Sequence, residues 1–287
     1  MAVDAPTLER WRTENSDHWT PAEMAEVWRR WHPYLAAGLF RPVTELIVQE
    51  AGIAPGMRVL DLAGGSGEPA LTLAGLVGPT GHVTGTDFSP SMVAVAAEQA
   101  RAAGITNADF EPADAEALPY PDASFDAVTC RFGVMFFPDT SRALGEIRRV
   151  LRPGVRATFT AWGPSDRNLF FAGFAGVLAT FADLPSPEIG APGAFRFAKP
   201  GALGGALREE GFADVREETR DLTLTWPGPA ETLRAFWLEM TDTLDKVPAE
   251  RREEASAAVL AAFRQYEVDG RVELPAVVVV ASGQAGE

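Results

Sequence analysis

The sequence predicts an α/β fold, a doubly wound sheet of seven mostly parallel strands with N-terminal helices and a helical cap insertion. Short apolar strands alternate with helices over residues 58–163, a pattern typical of a parallel sheet covered on both faces. A glycine-rich bend at 63–67 separates the first strand from the first of these helices. Residues 213–226 and 277–280 read as two further strands, which complete the sheet.

Within the alternating region, hydrophobic patterning places five strands and three helices. The strands are expected near 58–62, 82–87, 108–112, 125–132 and 157–162, and the helices near 69–77, 90–103 and 139–151. Ligands of such sheets bind beyond the carboxyl ends of the strands, at the point where the strand order reverses. Residues that directly follow a strand are therefore the candidate site residues.

Composition narrows the classes of partner. The 287 residues carry a formal net charge of −15, which argues against a nucleic-acid partner and against an acidic membrane surface. One cysteine and three histidines give no metal-ligand spacing, so no metal is expected. The N-terminus lacks an apolar signal stretch, and the run 276–281 is too short to span a bilayer. We expect a cytoplasmic protein without membrane insertion, and the preference for arginine over lysine is typical of a bacterial source.

The glycine bend is open to two interpretations. Gly65, Gly67 and Ala70 match a dinucleotide fingerprint, with Asp87 at a plausible distance for a ribose. A diphosphate, however, requires amide donors without a neighbouring anion, whereas Asp61 and Glu68 flank this bend. Because no lysine or arginine lies between 58 and 101 in the sequence, the charge favours a ligand that is cationic at this end. S-adenosylmethionine, with its ammonium and sulfonium groups, is such a ligand.

Five ordered motifs carry a resemblance to a known family. They are Asp-Leu-Ala-Gly-Gly-Ser-Gly at 61–67, Thr-Asp-Phe-Ser-Pro-Ser-Met at 86–92, Asp-Ala-Glu-Ala-Leu-Pro at 114–119, Pro-Asp-Ala-Ser-Phe-Asp at 121–126 and Arg-Arg-Val-Leu-Arg-Pro-Gly at 148–154. In this order they resemble the class I S-adenosylmethionine-dependent methyltransferases, specifically the UbiE/COQ5-like (methyltransferase type 11) group. The resemblance covers roughly residues 45–163 and implies the Rossmann-like methyltransferase fold.

The resemblance implies roles for residues at the strand ends. Asp61 would contact the methionine ammonium, and the backbone of Ala63, Gly64, Gly65 and Gly67 would lie beneath the amino acid part of the cofactor. Asp87 would accept hydrogen bonds from both ribose hydroxyls, Phe88 and Met92 would pack on the adenine, and Asp114 and Ala115 would bind the edge of the adenine. Arg131 and Phe132 would lie beside the sulfonium. Purely structural alternatives remain: Asp61 capping a turn, and Asp87 capping the following helix.

Catalysis by this family consists mainly of aligning the acceptor with the activated methyl group and excluding water. A general base is needed only for an acceptor that retains its proton at neutral pH. His32 is the favoured base, although a packed or surface histidine is the alternative, and His18 and His82 are weaker candidates. Arg131 either anchors the acceptor or pairs with an acidic neighbour.

The chain is divided at the ends of the alternating region. Residues 1–50 are expected to form an N-terminal helical lid in which Trp28, Trp31 and Tyr34 share a face, and 51–163 the cofactor-binding core. Residues 164–287 complete the sheet, with a helical cap at about 229–266.

The expected activity is methyl transfer from S-adenosylmethionine, which leaves S-adenosylhomocysteine, to an oxygen or carbon of a small, partly apolar phenolic, quinol or natural-product-like acceptor. The alternatives are a S-adenosylmethionine-binding fold used for non-methylating chemistry, a NAD-dependent oxidoreductase, and a catalytically silent partner subunit. A homodimer is compatible with the sequence, which fixes neither the acceptor nor the oligomeric state.

Overall fold

The computed structural model describes residues 3–184 and 190–286. The strands of this part are β1 (Arg58–Leu62), β2 (His82–Asp87), β3 (Ala108–Pro112), β4 (Phe125–Arg131), β5 (Leu151–Trp162), β6 (Ala213–Trp226), β7 (Glu267–Val268) and β8 (Arg271–Gln284). The helices are α1 (Ala5–Trp19), α2 (Ala22–Tyr34), α3 (Arg41–Ala51), α4 (Ala70–Val77), α5 (Pro90–Ala102), α6 (Thr140–Val150), the short α7 (Leu169–Phe171), α8 (Ala202–Glu209), α9 (Ala230–Met240) and α10 (Arg252–Arg264).

All eight strands belong to one sheet, in the order β3-β2-β1-β4-β5-β8-β6, with β7 paired to β8. The strands β1 to β5 run parallel, and β8 is antiparallel to both β5 and β6. The predicted fold class is confirmed, including the N-terminal helices and the helices inserted before the last strand.

The predicted count of seven strands is wrong by one. The additional strand, β7, contains only two residues and forms a hairpin with the start of β8. Asp269 and Gly270 make the turn with φ values of 49° and 73°, the left-handed backbone that two-residue hairpin turns prefer. A two-residue strand has no alternation of its own, so hydrophobic patterning could not reveal it.

Local signals explain where the core helices begin. Ser89 caps α5 through its hydroxyl, and Pro90 follows at the first helical position, where its missing N–H costs nothing. Asp139 caps α6 in the same way, by accepting a hydrogen bond from the Arg142 amide. The buried face of α6 repeats at helical spacing through Ala143, Leu144, Ile147 and Val150. These caps and the spacing of the buried residues account for where α5 and α6 begin and for which face of α6 packs inward.

The first two helices are fixed to the core and to α9 by polar contacts. Arg12 of α1 pairs with Glu116 at 2.6 Å, and the Ser91 hydroxyl of α5 donates to the Thr20 carbonyl at 3.3 Å. From α2, the Trp31 indole N–H donates to Glu239 at 3.0 Å. These contacts hold the N-terminal helices across the carboxyl edge of the parallel strands.

Aromatic side chains dominate the packing between α2, β6 and α9. Tyr34 stacks on Trp226 with ring centroids 4.9 Å apart, and Trp31 contacts the same indole at 5.6 Å. Trp28, predicted to share their face, instead contacts Trp19 at 6.3 Å. Most of the α2 aromatics thus belong to the core between α2, β6 and α9, where aromatic pairs add stability beyond the area they bury.

Candidate active site

Three acidic side chains and one arginine meet at the carboxyl edge of the sheet. Asp61 lies in β1, Asp87 ends β2, Asp114 follows β3, and Arg131 ends β4. Since these four strands are parallel, their carboxyl ends share one edge. The predicted site residues are therefore gathered in one region, on separate elements that the sheet holds in fixed register.

The bend after β1 is tight. The Gly64 amide donates to the Thr86 carbonyl at 2.9 Å, and the Gly67 amide donates to the Gly64 carbonyl at 3.0 Å. Ala63 takes a φ of 53°, a left-handed conformation that costs an alanine about 1–2 kcal/mol. A Cβ on Gly64 would come to 3.0 Å from Asp61 Oδ2. A side chain at residue 64 would therefore be crowded against the Asp61 carboxylate.

Asp61 is completely buried beneath this bend, and only one of its carboxylate oxygens is paired. The Thr129 hydroxyl donates to Oδ1 at 2.6 Å, whereas Oδ2 has no hydrogen-bond partner in the part of the chain that the structure describes. Burial raises the pKa of Asp61 to about 7, against smaller opposite effects of Thr129, Arg131 and the Ala70 amide. A buried carboxylate oxygen without a donor is costly, and such a group calls for a ligand to explain it.

Asp87 differs, because both of its oxygens accept backbone hydrogen bonds. Oδ2 accepts from the Gly65 amide at 3.0 Å and Oδ1 from the Ser89 amide at 2.9 Å. Burial raises the pKa of Asp87 to about 6, and the two amides partly oppose this rise. The side chain thereby connects the bend after β1 to the start of α5, and each oxygen keeps a lone pair for a further donor.

A cavity of about 420 Å³ opens at the ends of β1, β2 and β3, and the buried Asp61 and Asp87 lie behind its lining rather than on it. Four residues predicted for the site line it: Ala63, Phe88, Asp114 and Ala115. Helix α1 supplies a wall that the sequence analysis did not identify, formed by Arg12, Asn15 and Ser16. No motif marks these three residues. Only the alternation of charged and apolar residues along 5–19 could have indicated a helix with one covered face.

The α1 wall of the cavity is held to the core by hydrogen bonds between Arg12 and Glu116. Arg12 donates to Glu116 Oε2 through Nη2 at 2.6 Å and Nε at 3.1 Å. Glu116 is 4% exposed, and its second oxygen accepts from the Asp139 amide at 2.7 Å. The Asp114 carboxylate in turn accepts from the Glu116 amide at 2.9 Å. The motifs gave Glu116 no role, whereas in the structure it is the partner that holds α1 over the cavity.

Arg131 lies at the bend but does not face the cavity. Its guanidinium is surrounded by protein, donating to Thr44 Oγ1 at 2.6 Å and to the Glu68 carbonyl at 2.9 Å. It also lies 5.3 Å from the centre of the Phe40 ring. Burial lowers the pKa of Arg131, while the charges of Glu68 and Asp61 oppose this change.

The position of Arg131 corrects the expectation that no basic side chain lies near the glycine bend. The bend has no basic neighbour between 58 and 101 in the chain, yet in space β4 brings a guanidinium against the Glu68 carbonyl. The contacts of Arg131 match neither role expected for it: the guanidinium donates to Thr44 of α3 and to the backbone carbonyl of Glu68, and so ties α3 to the bend. The buried carboxyl groups of Asp61 and Asp87 therefore outnumber the single guanidinium of Arg131 beside the glycine bend, and the formal charge there is still negative.

The turn after β4 also approaches the glycine bend closely. Phe132 has a φ of 61°, an uncommon backbone for a bulky residue, and its ring stacks on Trp162 at 4.1 Å. A Cβ on Gly133 would come to 2.4 Å from the Ala63 Cβ, so that only glycine fits there. Met92, expected at the adenine, is buried with Ala25 and Val95 and does not line the cavity.

His32 contacts the glycine bend from α2. Its Nδ1 lies 2.9 Å from the Ser66 hydroxyl, and the side chain does not line the cavity of about 420 Å³. Burial, followed by the positive charge of Arg131, lowers the pKa of His32, and the imidazole is therefore neutral at pH 7. This geometry suits support of the bend, and the catalytic role predicted for His32 stays a prediction.

Clusters of metal ligands and membrane-spanning helices are both absent from the described residues. In residues 3–184 and 190–286, no three histidine, cysteine, aspartate or glutamate side chains converge as metal ligands would. The helices of these same ranges are all too short or too polar to cross a bilayer. The single cysteine, Cys130, is buried in β4, and burial raises the pKa of its thiol.

The strand order, the glycine bend after β1 and the carboxylates at the strand ends define a class I, Rossmann-like methyltransferase fold. The model of the ubiE/COQ5 methyltransferase family matches residues 35–163, which include all five motifs, and the resemblance inferred from these motifs is thereby confirmed.

Similar proteins were found among curated sequences and solved structures. The chain is 40% identical over 121 residues to the ubiquinone/menaquinone biosynthesis C-methyltransferase UbiE of Shewanella halifaxensis, which is 42% of this chain and 48% of that protein. It is 46% identical over 113 residues to the demethylmenaquinone methyltransferase of Thermus thermophilus, 39% of this chain and 50% of that protein. The match thus spans about half the length of these curated relatives.

Among solved structures, phosphoethanolamine N-methyltransferase 2 of Haemonchus contortus, in complex with S-adenosyl-L-methionine, superposes with a TM-score of 0.60. The superposition covers 96% of this chain and 60% of that one, at 16% identity, and so concerns the fold alone. The family and both curated relatives are methyltransferases, which gives no support to the NAD-dependent alternative.

Proposed function

We propose that this chain is a S-adenosylmethionine-dependent methyltransferase whose acceptor is a small, partly apolar aromatic molecule. Both curated relatives are named as methyltransferases of quinone compounds, and the Shewanella protein as a C-methyltransferase. These names favour a ring carbon of a quinol-type acceptor over oxygen, and either over nitrogen. The shared segment includes all five motifs found in the sequence.

The observation that carries the proposal is the unpaired Oδ2 of Asp61. It is buried directly below Gly64, where it lacks a donor, and a carboxylate in that position binds an ammonium group well. A diphosphate would bring negative charge against Asp61 and Glu68 and would leave Oδ2 unpaired. The residues present therefore fit the amino acid end of S-adenosylmethionine better than they fit NAD.

The remaining assignments concern the ribose and the adenine of the cofactor. Asp87 keeps a lone pair on each oxygen for the ribose hydroxyls, while Phe88, Asp114 and Ala115 line the part that would hold the adenine. When bound, the cofactor supplies a methyl group on a good leaving group. The protein's own contribution is to bind, orient and exclude water, to which the cover by α1 adds.

The proposed location and partners rest on composition. A net charge of −15 supports a protein that binds neither nucleic acid nor anionic lipid, and we propose a cytoplasmic enzyme acting on a small-molecule acceptor. A homodimer stays a prediction, to be checked by light scattering of the purified chain.

The test is calorimetric titration of the purified chain with S-adenosylmethionine, S-adenosylhomocysteine and NAD. We expect binding of the two adenosyl amino acids at micromolar concentration and none of NAD. Incubation with a panel of quinols and phenols is then expected to transfer the methyl group to at least one of them, detected by mass spectrometry. NAD binding without S-adenosylmethionine binding contradicts the proposal, and cofactor binding without transfer to any acceptor favours a silent subunit.

A further inference from the structure

Helix α1 contributes three side chains to the wall of the cavity of about 420 Å³: Arg12, Asn15 and Ser16. Two of them already have partners within the protein, since Arg12 donates to Glu116 at 2.6 Å and the Ser16 hydroxyl lies 3.1 Å from that of Thr20. The carboxamide of Asn15 differs, because it makes no hydrogen bond to any group in the described part of the chain. Asn15 is therefore the α1 wall residue whose donor and acceptor groups are still available to a ligand.

The place of Asn15 within α1 gives no structural reason for an asparagine. Asparagine is a poor helix former, because its side chain competes for backbone hydrogen bonds, and Asn15 lies well inside this helix. Other residues complete the two helix ends. Asp4 caps the start through its carboxylate, and the Thr20 amide closes the end on the Ser16 carbonyl. A half-buried asparagine without a cap to make fits a residue that serves a ligand.

Two contacts fix the position of Asn15 over the carboxyl edge of the sheet. Near its middle, α1 is bound through Arg12 to Glu116 in the loop after β3, and at its end the Ser91 hydroxyl of α5 donates to the Thr20 carbonyl. At a rise of 1.5 Å per residue, Asn15 lies about 4.5 Å along the helix from the first contact and about 7.5 Å from the second. It is thus placed between the loop after β3 and the start of α5, which is where the adenine is proposed to bind.

The groups on the loop after β3 suit one edge of an adenine only. The Asp114 carboxylate accepts from the Glu116 amide through Oδ1 at 2.9 Å, which leaves Oδ2 for a further donor. The Ala115 amide has no acceptor among the residues that the structure describes. One acceptor beside one donor matches the N6 amino group and N1. The second N6 hydrogen and the N7 acceptor lie on the neighbouring edge of the ring, which these groups do not contact.

An asparagine carboxamide is complementary to that neighbouring edge. Its oxygen accepts from the N6 amino group while its nitrogen donates to N7, the paired contact by which asparagine recognises adenine in nucleic acids. Hypoxanthine and guanine carry two acceptors at this edge, O6 and N7, and would leave the carboxamide oxygen facing another lone pair. A contact of this kind therefore distinguishes adenine from the other purines.

We propose that Asn15 binds the N6 and N7 edge of the adenine of the cofactor, while Asp114 and Ala115 bind the N6 and N1 edge. Helix α1 is then part of the adenine-binding site, and the pair of Arg12 with Glu116 positions it there. The inference rests on the proposed function and adds to it a residue that determines base specificity. Asn15 lies outside residues 35–163, the segment that the family model matches.

The test compares S-adenosylhomocysteine with S-tubercidinylhomocysteine, the analogue in which a C–H group replaces the adenine N7, by calorimetric titration of the full chain. We expect the wild type to bind S-adenosylhomocysteine about tenfold more tightly than the analogue, because only N7 accepts from the Asn15 nitrogen. In Asn15→Ala the affinity for S-adenosylhomocysteine is expected to fall about tenfold, and the ratio of the two affinities to approach one. Asn15→Asp keeps the acceptor for N6 but replaces the donor to N7 by an oxygen, so its ratio is expected to be one or below.

The matched control is Thr13→Ala, at an exposed residue of the same helix that does not line the cavity and is expected to keep the wild-type ratio. Because alanine favours a helix more than asparagine does, Asn15→Ala is expected to fold. A wild type that binds both compounds equally, or an Asn15→Ala protein that keeps the tenfold preference, overturns the assignment of Asn15 while the cofactor proposal stands. Failure of the wild type to bind S-adenosylhomocysteine overturns the proposed function itself.

Discussion

The cofactor edge of the sheet and the helical cover above it face the same cavity but are built differently. At the edge, backbone amides, glycines and short acidic side chains lie on parallel strands that fix their spacing. In the cover, long side chains of α1 reach in from a helix whose position depends on a few contacts such as Arg12 with Glu116. We therefore expect substitutions at the edge to weaken the equilibrium affinity for the cofactor, and substitutions in the cover mainly to raise its dissociation rate.

The largest effect is expected at the edge, from Asp61→Asn. The substitution removes the buried negative charge and places an N–H donor or a neutral oxygen at the position of the unpaired Oδ2. Affinity for S-adenosylmethionine is expected to fall by about 3 kcal/mol, roughly a hundredfold, measured by calorimetry. Asp166→Asn, an exposed aspartate on a surface turn, is the matched control. Equal affinity of Asp61→Asn and wild type would remove Asp61 from the ammonium site.

A smaller loss is expected for Asp87→Ala. This substitution removes the carboxylate that accepts from the Gly65 and Ser89 amides and is proposed to accept the ribose hydroxyls. Cofactor affinity is expected to weaken by about 1–3 kcal/mol, again by calorimetry. 2′-Deoxyadenosine and adenosine serve as paired competitors: they should differ in affinity for the wild type and become equal in the variant. A persistent difference would mean that another group binds the ribose.

The edge also predicts a dependence of stability on pH. The folded-state pKa of Asp61, about 7, lies above its ordinary value of 3.8, because burial disfavours the charged form. Its contribution to stability is therefore fully present below pH 4 and is lost as the pH rises through about 7. Asparagine lacks this titration, so the stability of the wild type minus that of Asp61→Asn should fall by about 4 kcal/mol between pH 4 and 8, as a pKa raised from 3.8 to about 7 implies. Urea unfolding of both proteins at several pH values measures it, and a constant difference would contradict the raised pKa.

In the cover, Arg12→Gln is expected to shorten the residence of the cofactor. Glu116, 4% exposed, would keep only its hydrogen bond from the Asp139 amide, which weakens the contact of α1 with the core. The dissociation rate of S-adenosylhomocysteine should rise about fivefold, corresponding to about 1 kcal/mol, in stopped-flow experiments. Arg41→Gln, which breaks the exposed pair with Glu45, is the control. Equal dissociation rates for the two variants would show that the pair does not hold the cover.

The smallest effect separates the two roles of His32. Because its Nδ1 contacts Ser66 of the bend, His32→Gln is expected to raise the KM for S-adenosylmethionine about twofold to fivefold and to leave kcat within a factor of two. Initial rates with a quinol acceptor measure both constants. A large fall in kcat with unchanged KM would instead assign His32 to proton transfer, as the sequence analysis first suggested.

The sequence was sufficient for the core because each of its signals is local. The strand β1 and the helices α5 and α6 each occupy consecutive residues, and their predicted bounds agree with the structure to within two residues. The strand predicted at 157–162 begins earlier, at Leu151. The predicted last strand, 277–280, is in fact the central part of β8, Arg271–Gln284. Residues 271–276 alternate between exposed and buried positions as a strand does, but Pro275 among them argues against a strand.

The site was only partly predictable because its cover is assembled from distant segments. Arg12 and Glu116 are 104 residues apart, and Arg131 reaches Glu68 from another strand. No spacing rule connects such residues, so the presence of the Arg131 guanidinium beside the glycine bend could not be predicted from the sequence. The aromatic residues of α2 resembled those of a ligand-facing surface, yet tertiary packing places Trp31 and Tyr34 in the core and leaves Trp11 and Trp19 of α1 on a cavity.

The central claim, that the unpaired oxygen of Asp61 binds the amino group of the cofactor, is tested most directly by a crystal structure of the S-adenosylhomocysteine complex. The account predicts that the amino nitrogen lies within hydrogen-bonding distance of Asp61 Oδ2, or is joined to it by one water molecule, with the adenine beside Phe88 and Asp114. An amino group directed elsewhere, with Oδ2 still unpaired, would contradict it.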